Sequence, residues 1–71
     1  MREERELRMV REAIVMVASG ASPRVVVAGI SAGDQILDAA RRLGLESGVR
    51  VNRLSQHEDR GADLAVEAIY E

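Results

Sequence analysis

The 71-residue chain contains no cysteine and no lysine, one histidine, one proline and a single aromatic residue, Tyr70. Each shortage narrows what the chain is expected to do. Without cysteine there is no disulfide framework and no thiolate zinc site, and a reducing interior suits the chain. One tyrosine offers no platform on which successive bases of a single strand stack. No apolar run approaches the ~18 residues of a membrane span and no signal-peptide pattern opens the sequence, so a cytoplasmic protein with no membrane partner is expected. His57 sits beside Glu58 and Asp59. Three adjacent residues rarely converge on a metal ion, and no distant second ligand is evident, so the trio is expected to be a solvated loop. No serine has a base with an identifiable orienting carboxylate. The chain is therefore expected not to be an enzyme, with no cofactor, no metal and no small-molecule substrate.

All ten basic residues are arginine, against twelve acids, for a net charge of −2. Bulk charge therefore selects neither a polyanionic nor a polycationic partner. The arginines and glutamates of residues 1–19 cancel, so the small acidic excess lies in the rest of the chain. A chain of this size buries only about 60% of its unfolded surface, which makes the core thin and an oligomer a natural way to extend it.

Residues 2–19 predict a helix. Leu7, Val10, Ile14 and Val17 recur at helical spacing, and Met9, Ala13 and Met16 form a second apolar stripe beside them. Gly20 and Pro23 stop the helix. The β-branched run Arg24–Ile30 predicts a strand buried on both faces or lying at the sheet centre. Ser31 with Asp34 three residues on has the pattern of a capping box for a second helix. That helix is expected to bury Ile36, Ala40 and Leu43 with Leu37 beside them, to expose Asp38, Arg41 and Arg42, and to end at a Gly44 C-cap. Val49 and Val51 alternate with Arg50 and Asn52, as in a half-exposed strand. Leu64, Val66 and Ala68 alternate in the same way with Ala65, Glu67 and Ile69. A helix capped by Asp63 is the alternative there, but Gly61 and the polar stretch Ser55–Arg60 favour the return arm of a hairpin.

Two places carry candidate chemistry. The turn Gly29 to Asp34 joins a strand to a helix, where backbone N–H groups hold phosphates in dinucleotide-binding loops. Its spacing matches neither glycine-rich fingerprint, and an aspartate in the first helical turn repels a phosphate, so Gly29 and Gly33 are expected to serve a structural turn. Arg50 and Arg53, with Arg60 across the loop, form a candidate basic arm, since the planar guanidinium donates two bonds at once to a phosphate. The alternative pairs these arginines with Glu58, Asp59 and Glu67 in a solvated salt-bridge face. Arg41 and Arg42 allow the same two readings.

The segments Val25–Gly33, Gln35–Leu43, Gly48–Val51 and Asp63–Glu67 follow one another with the order and spacing of the Alba superfamily. Within it the chain resembles the small bacterial stage V sporulation protein S group. The likeness covers about residues 5–70 and rests on pattern. It implies a helix-and-sheet sandwich with a protruding final hairpin and dimeric binding of DNA or RNA. Arg53 and Arg60 stand where hairpin arginines are wanted. The family's first strand and its basic loop have no counterpart, since only Met1–Glu4 precede the first helix. Ile30, Ser31 and Ala32 replace the basic residues of the next turn. A second resemblance, to the cytoplasmic domain of FlhB-type export-switch proteins, implies a protein-docking module. The Asn-Pro-Thr-His motif is absent, so self-cleavage is excluded.

The expectation is one small α/β domain over residues 1–71, a two-layer α-β-α-β-β sandwich with two helices on one face of a three-stranded sheet. It is expected to form a homodimer that buries Met9, Ala13 and Met16, and to bind nucleic acid through Arg50, Arg53 and Arg60. A docking module that binds no nucleic acid is the alternative.

Overall fold

Two amphipathic helices and three short strands follow one another in the computed structural model, which describes residues 2–30, 34–54 and 64–70. They are α1 (Arg2–Ala18), β1 (Arg24–Ile30), α2 (Asp34–Ser47), β2 (Val49–Leu54) and β3 (Leu64–Tyr70). The order is the expected α-β-α-β-β, and both helices pack on one side of the sheet. The Ser31 cap, Gly33, and the loop carrying His57, Glu58, Asp59, Arg60 and Asp63 lie outside the described residues.

α1 closes as a glycine-terminated helix should. Gly20 N–H donates to Val17 O at 3.1 Å and Ala21 N–H to Met16 O at 3.0 Å, the paired bonds of a Schellman ending. The first apolar stripe supplies Val10, Ile14 and Val17 to the core, with Leu7 packed against it. The second stripe divides. Ala13 is 3% exposed, whereas Met9 and Met16 each remain 43% exposed.

The strand order is β1-β3-β2, with both pairings antiparallel. β1 is therefore an edge strand, not the central one its continuous apolar run predicts. The centre belongs to β3, which the hairpin lays beside β2 and which then also accepts β1. β3 looks less apolar because one face of the sheet is open, and a central strand then alternates instead of running apolar throughout. The cross-strand rows show this division. Val25, Ala68 and Val51 form one row under the helices, while Val26, Glu67 and Asn52 form its neighbour on the open face. Near the end of β1 the register shifts between Val27 and Ile30, and Gly29 there has φ +81°. A bulge of this kind needs a residue that tolerates left-handed backbone, so Gly29 serves β1 itself and not only the turn after it.

α2 buries Ile36, Leu37, Ala40 and Gly44, with Leu43 packed half-buried against the core. The expected Gly44 C-cap is corrected. The helix runs on to Ser47, and Gly48 at φ +71° ends it. Gly44 answers a different demand. A Cβ placed there would run into the carbonyl oxygen of Val49 and lie 3.1 Å from Val51 Cγ2, so a bare glycine lets α2 press directly on β2. Alanine at Gly44 would gain helix propensity of about 1 kcal/mol. Overpacking against a fixed carbonyl should outweigh it. Gly44→Ala is expected to cost about 1–2 kcal/mol net and lower the melting midpoint by roughly 5–15 °C. An unchanged or raised midpoint in thermal unfolding would show that α2 has room to move off β2.

Candidate nucleic-acid interface

Side chains three apart on a strand point to opposite faces, and this decides where the β2 arginines go. Arg50 pairs across with Ile69, which in turn faces Arg24, so all three share the open face. Arg53 pairs with Val66 of the core and so lies on the helix side. There its Nη1 comes within 3.7 Å of Asp34 Oδ1, at the first residue of α2. Both side chains are more than half exposed, 54% for Arg53 and 76% for Asp34, so this contact is loose and easily exchanged for another anion. The structure thus sets Arg50 and Arg53 on the two faces of one ribbon rather than in one patch. Arg60 falls outside the described residues.

The open face carries one acid among the described residues, Glu67, and it is fully engaged. Arg24 Nε donates to Oε1 at 2.6 Å and Asn52 Nδ2 to Oε2 at 3.1 Å. These two hydrogen bonds, Arg24's first, hold the Glu67 carboxyl below its ordinary value; desolvation opposes them, and the charges of Arg24 and Arg50 add smaller contributions. The partner of Glu67 is therefore Arg24, from β1. The alternative face of Arg50, Arg53 and Arg60 with Glu58, Asp59 and Glu67 does not include Arg24, which the β1–β3 pairing brings to Glu67; Arg60, Glu58 and Asp59 lie outside the described residues. Nothing in the spacing marked Arg24 or Asn52 as partners of Glu67, because register across a loop is not legible in sequence.

Arg41 also touches the sheet. From α2 its Nε donates to Val51 O at 3.3 Å, covering part of the outer edge of β2. The second stripe of α1 lies by the other edge. Met9, Glu12, Ala13 and Met16 line an open groove of about 320 Å³ with Val25–Ala28. Of the expected interface residues, Met9 and Met16 are exposed in the single chain, while Ala13 belongs to its own core. A further concavity of about 390 Å³ lies between the end of α1 and Tyr70, and its lining offers no acid, base or nucleophile pair. Among the described residues no group of histidine and acidic side chains is placed to hold a metal ion, and no helix is long and apolar enough to cross a membrane.

Comparison with protein families, curated proteins and solved structures finds no match for this chain.

Glu67 gives the fold a definable pH response. Its folded pKa lies below its ordinary value of 4.5, so its contribution is fully present above that value. The contribution fades as pH falls through the lowered, folded value. Glu67→Gln should therefore flatten the fall of the melting midpoint between about pH 5 and pH 3 while leaving most of the fold in place. A mutant whose midpoint falls with acid as steeply as the wild type would show that Glu67 is not the group responsible.

Proposed function

We propose that this chain is a small cytoplasmic nucleic-acid-binding protein, acting as a homodimer and gripping the phosphate backbone of DNA or RNA with its β2–β3 ribbon. The observation that carries the reading is the placement of Arg50 and Arg53 on opposite faces of that ribbon. β2 is the outer strand of the three-stranded sheet, so side chains near its hairpin end can lie along a phosphate backbone. Arginines on both faces of that strand can reach phosphates from either side of it, and each guanidinium can fork onto one. The charge-paired Glu67 fits the same reading, since among the described residues the open face then sets no uncompensated carboxylate against a polyanion. Arg60 would extend the arm from the connection between the strands. With a net charge of −2, attraction rests on these local arginines and not on a field from the whole molecule.

A protein-docking module that binds no nucleic acid is the second reading. The uncovered groove beside β1, with Met9, Met16 and Val26 all 43% exposed, favours it.

Fluorescence-polarisation titrations with labelled duplex DNA, single-stranded DNA and RNA separate the two. Arg50→Ala and Arg53→Ala are each expected to weaken binding about equally for all sequences, and to lower the salt slope by roughly one unit apiece. Absence of binding to every probe up to 100 µM at about 50 mM salt would sink the nucleic-acid reading and leave the docking module.

A further inference from the structure

The two edges of the sheet are built differently. Along β2 the strand carries Arg50, Asn52 and Arg53, and Arg41 from α2 bonds to Val51 O. Charged side chains and a covering group are standard protection against a stray strand. Along β1 the run Val25–Ile30 has no charged residue, and beside it lies the Met9–Met16 groove.

The backbone directions along β1 can be read from one bond. Tyr70 N–H donates to Pro23 O at 3.4 Å, which puts these two residues at a hydrogen-bonded position of the ladder, with a single bond because proline has no N–H to return. Antiparallel ladders alternate, so Val25 and Val27 also turn their polar groups toward β3. Arg24 and Val26, with Ala28 up to the bulge at Gly29, then turn theirs outward. This outward set is symmetric about Val26. On α1, Met9 and Met16, with Glu12 between them in sequence, line the groove beside this edge.

We propose that the β1 edge pairs with the β1 edge of a second copy, antiparallel about a two-fold axis through Val26, joining two three-stranded sheets into one. Val26 then bonds its own copy, and Arg24 bonds Ala28 of the partner in both directions, so every outward group finds a mate. On the open face Arg24 meets alanine and not another charge, and its own charge stays compensated by Glu67. On the helix side Met9 comes to lie against Met16 of the second α1. A single strand edge used symmetrically closes the assembly at two copies, and the covered β2 edge prevents growth into a fibre. The arrangement deepens the dimeric part of the proposed function and places the two β2–β3 ribbons at the far ends of the joined sheet. Glu12 faces its own copy across the axis, a like-charge contact that moderates affinity.

Sedimentation without nucleic acid tests this independently of the binding reading. The wild type should be a dimer at about 50 µM, in an equilibrium that dilution shifts. Val26→Pro removes an outward N–H without touching the β1–β3 ladder, and Val26→Lys sets two cations face to face on the axis. Either should give folded monomers by circular dichroism, the lysine variant covering a failure of the proline variant to fold. Glu12→Gln should tighten the dimer several-fold. Because the chain has no cysteine, Val26→Cys reports the register directly. The two copies of that residue would have Cα atoms about 5.5 Å apart, within reach of a disulfide. Oxidation should cross-link this variant quantitatively and leave Leu45→Cys, by the other edge, uncross-linked. A monomeric wild type overturns the proposal, as does a dimer that survives Val26→Lys or a Val26→Cys protein that fails to cross-link.

Discussion

The fold depends on the insertion of β3 between β1 and β2. Neither outer strand has another partner in the sheet, and β3 stands at the end of the described chain. The two helices can form their own hydrogen bonds early, but their apolar faces have no complete floor until that strand arrives. Val66 and Ala68 of β3 are nine-tenths or more buried, and they meet Val27 and Val25 on one side and Val51 on the other. Pairing between β1 and β3 spans most of the chain, so the sheet is paid for in loop-closure entropy before any of its contacts form. A change in β3 therefore acts on both interfaces of the sheet at once, whereas a change in β1 or β2 touches one.

Local periodicity made the elements legible, and it went no further. The helical stripes of residues 2–19, the alternation at Val49–Asn52 and the alternation from Leu64 onward each report whether a segment is buried on one side, which is a property of that segment alone. Strand order is a property of pairs, and the Arg24–Ile30 run, without a charge after Arg24, suggested a central place that β3 in fact occupies. The reason lies in the bulge and the groove. Val26 is apolar although it faces the open side, so composition overstated its burial. Gly44 and Gly48 present a similar ambiguity. Both are glycines near the end of an amphipathic pattern, and only the approach of Val49 O tells a packing glycine from a capping one.

Among the candidate site residues, the division of Arg50 from Arg53 was present in the sequence as a spacing of three on a strand of period two. The engagement of Glu67 by Arg24 and Asn52 was not, because it needs the register of two separate pairings. One acid so placed has a large effect on the open face. Left alone, it would sit between Arg24 and Arg50 and offset both. Bound through both oxygens, it compensates Arg24 at the middle of the face. The charges with freedom to find another partner then lie toward the hairpin end, where Arg53 has only a long contact to Asp34.

This division of labour bears on why so small a domain should divide its surface as it does. Helices cover one face of the sheet, the Arg24–Glu67 pair compensates charge on the other, and Arg41 shields part of one edge. What remains open is one apolar edge and the end of one ribbon, and these are as far apart as a three-stranded sheet allows. A partner on the first need not compete with a ligand on the second. If two copies share the β1 edge, the ribbons face outward in opposite directions along one continuous sheet. A polyanion longer than that sheet could then meet both at once, and the second contact would be made at the effective concentration set by the rigid spacing between them rather than by free diffusion. Under the proposed nucleic-acid binding, a weak grip by a few arginines would become useful in that arrangement, and a chain of net charge −2 would not then need a strongly basic surface.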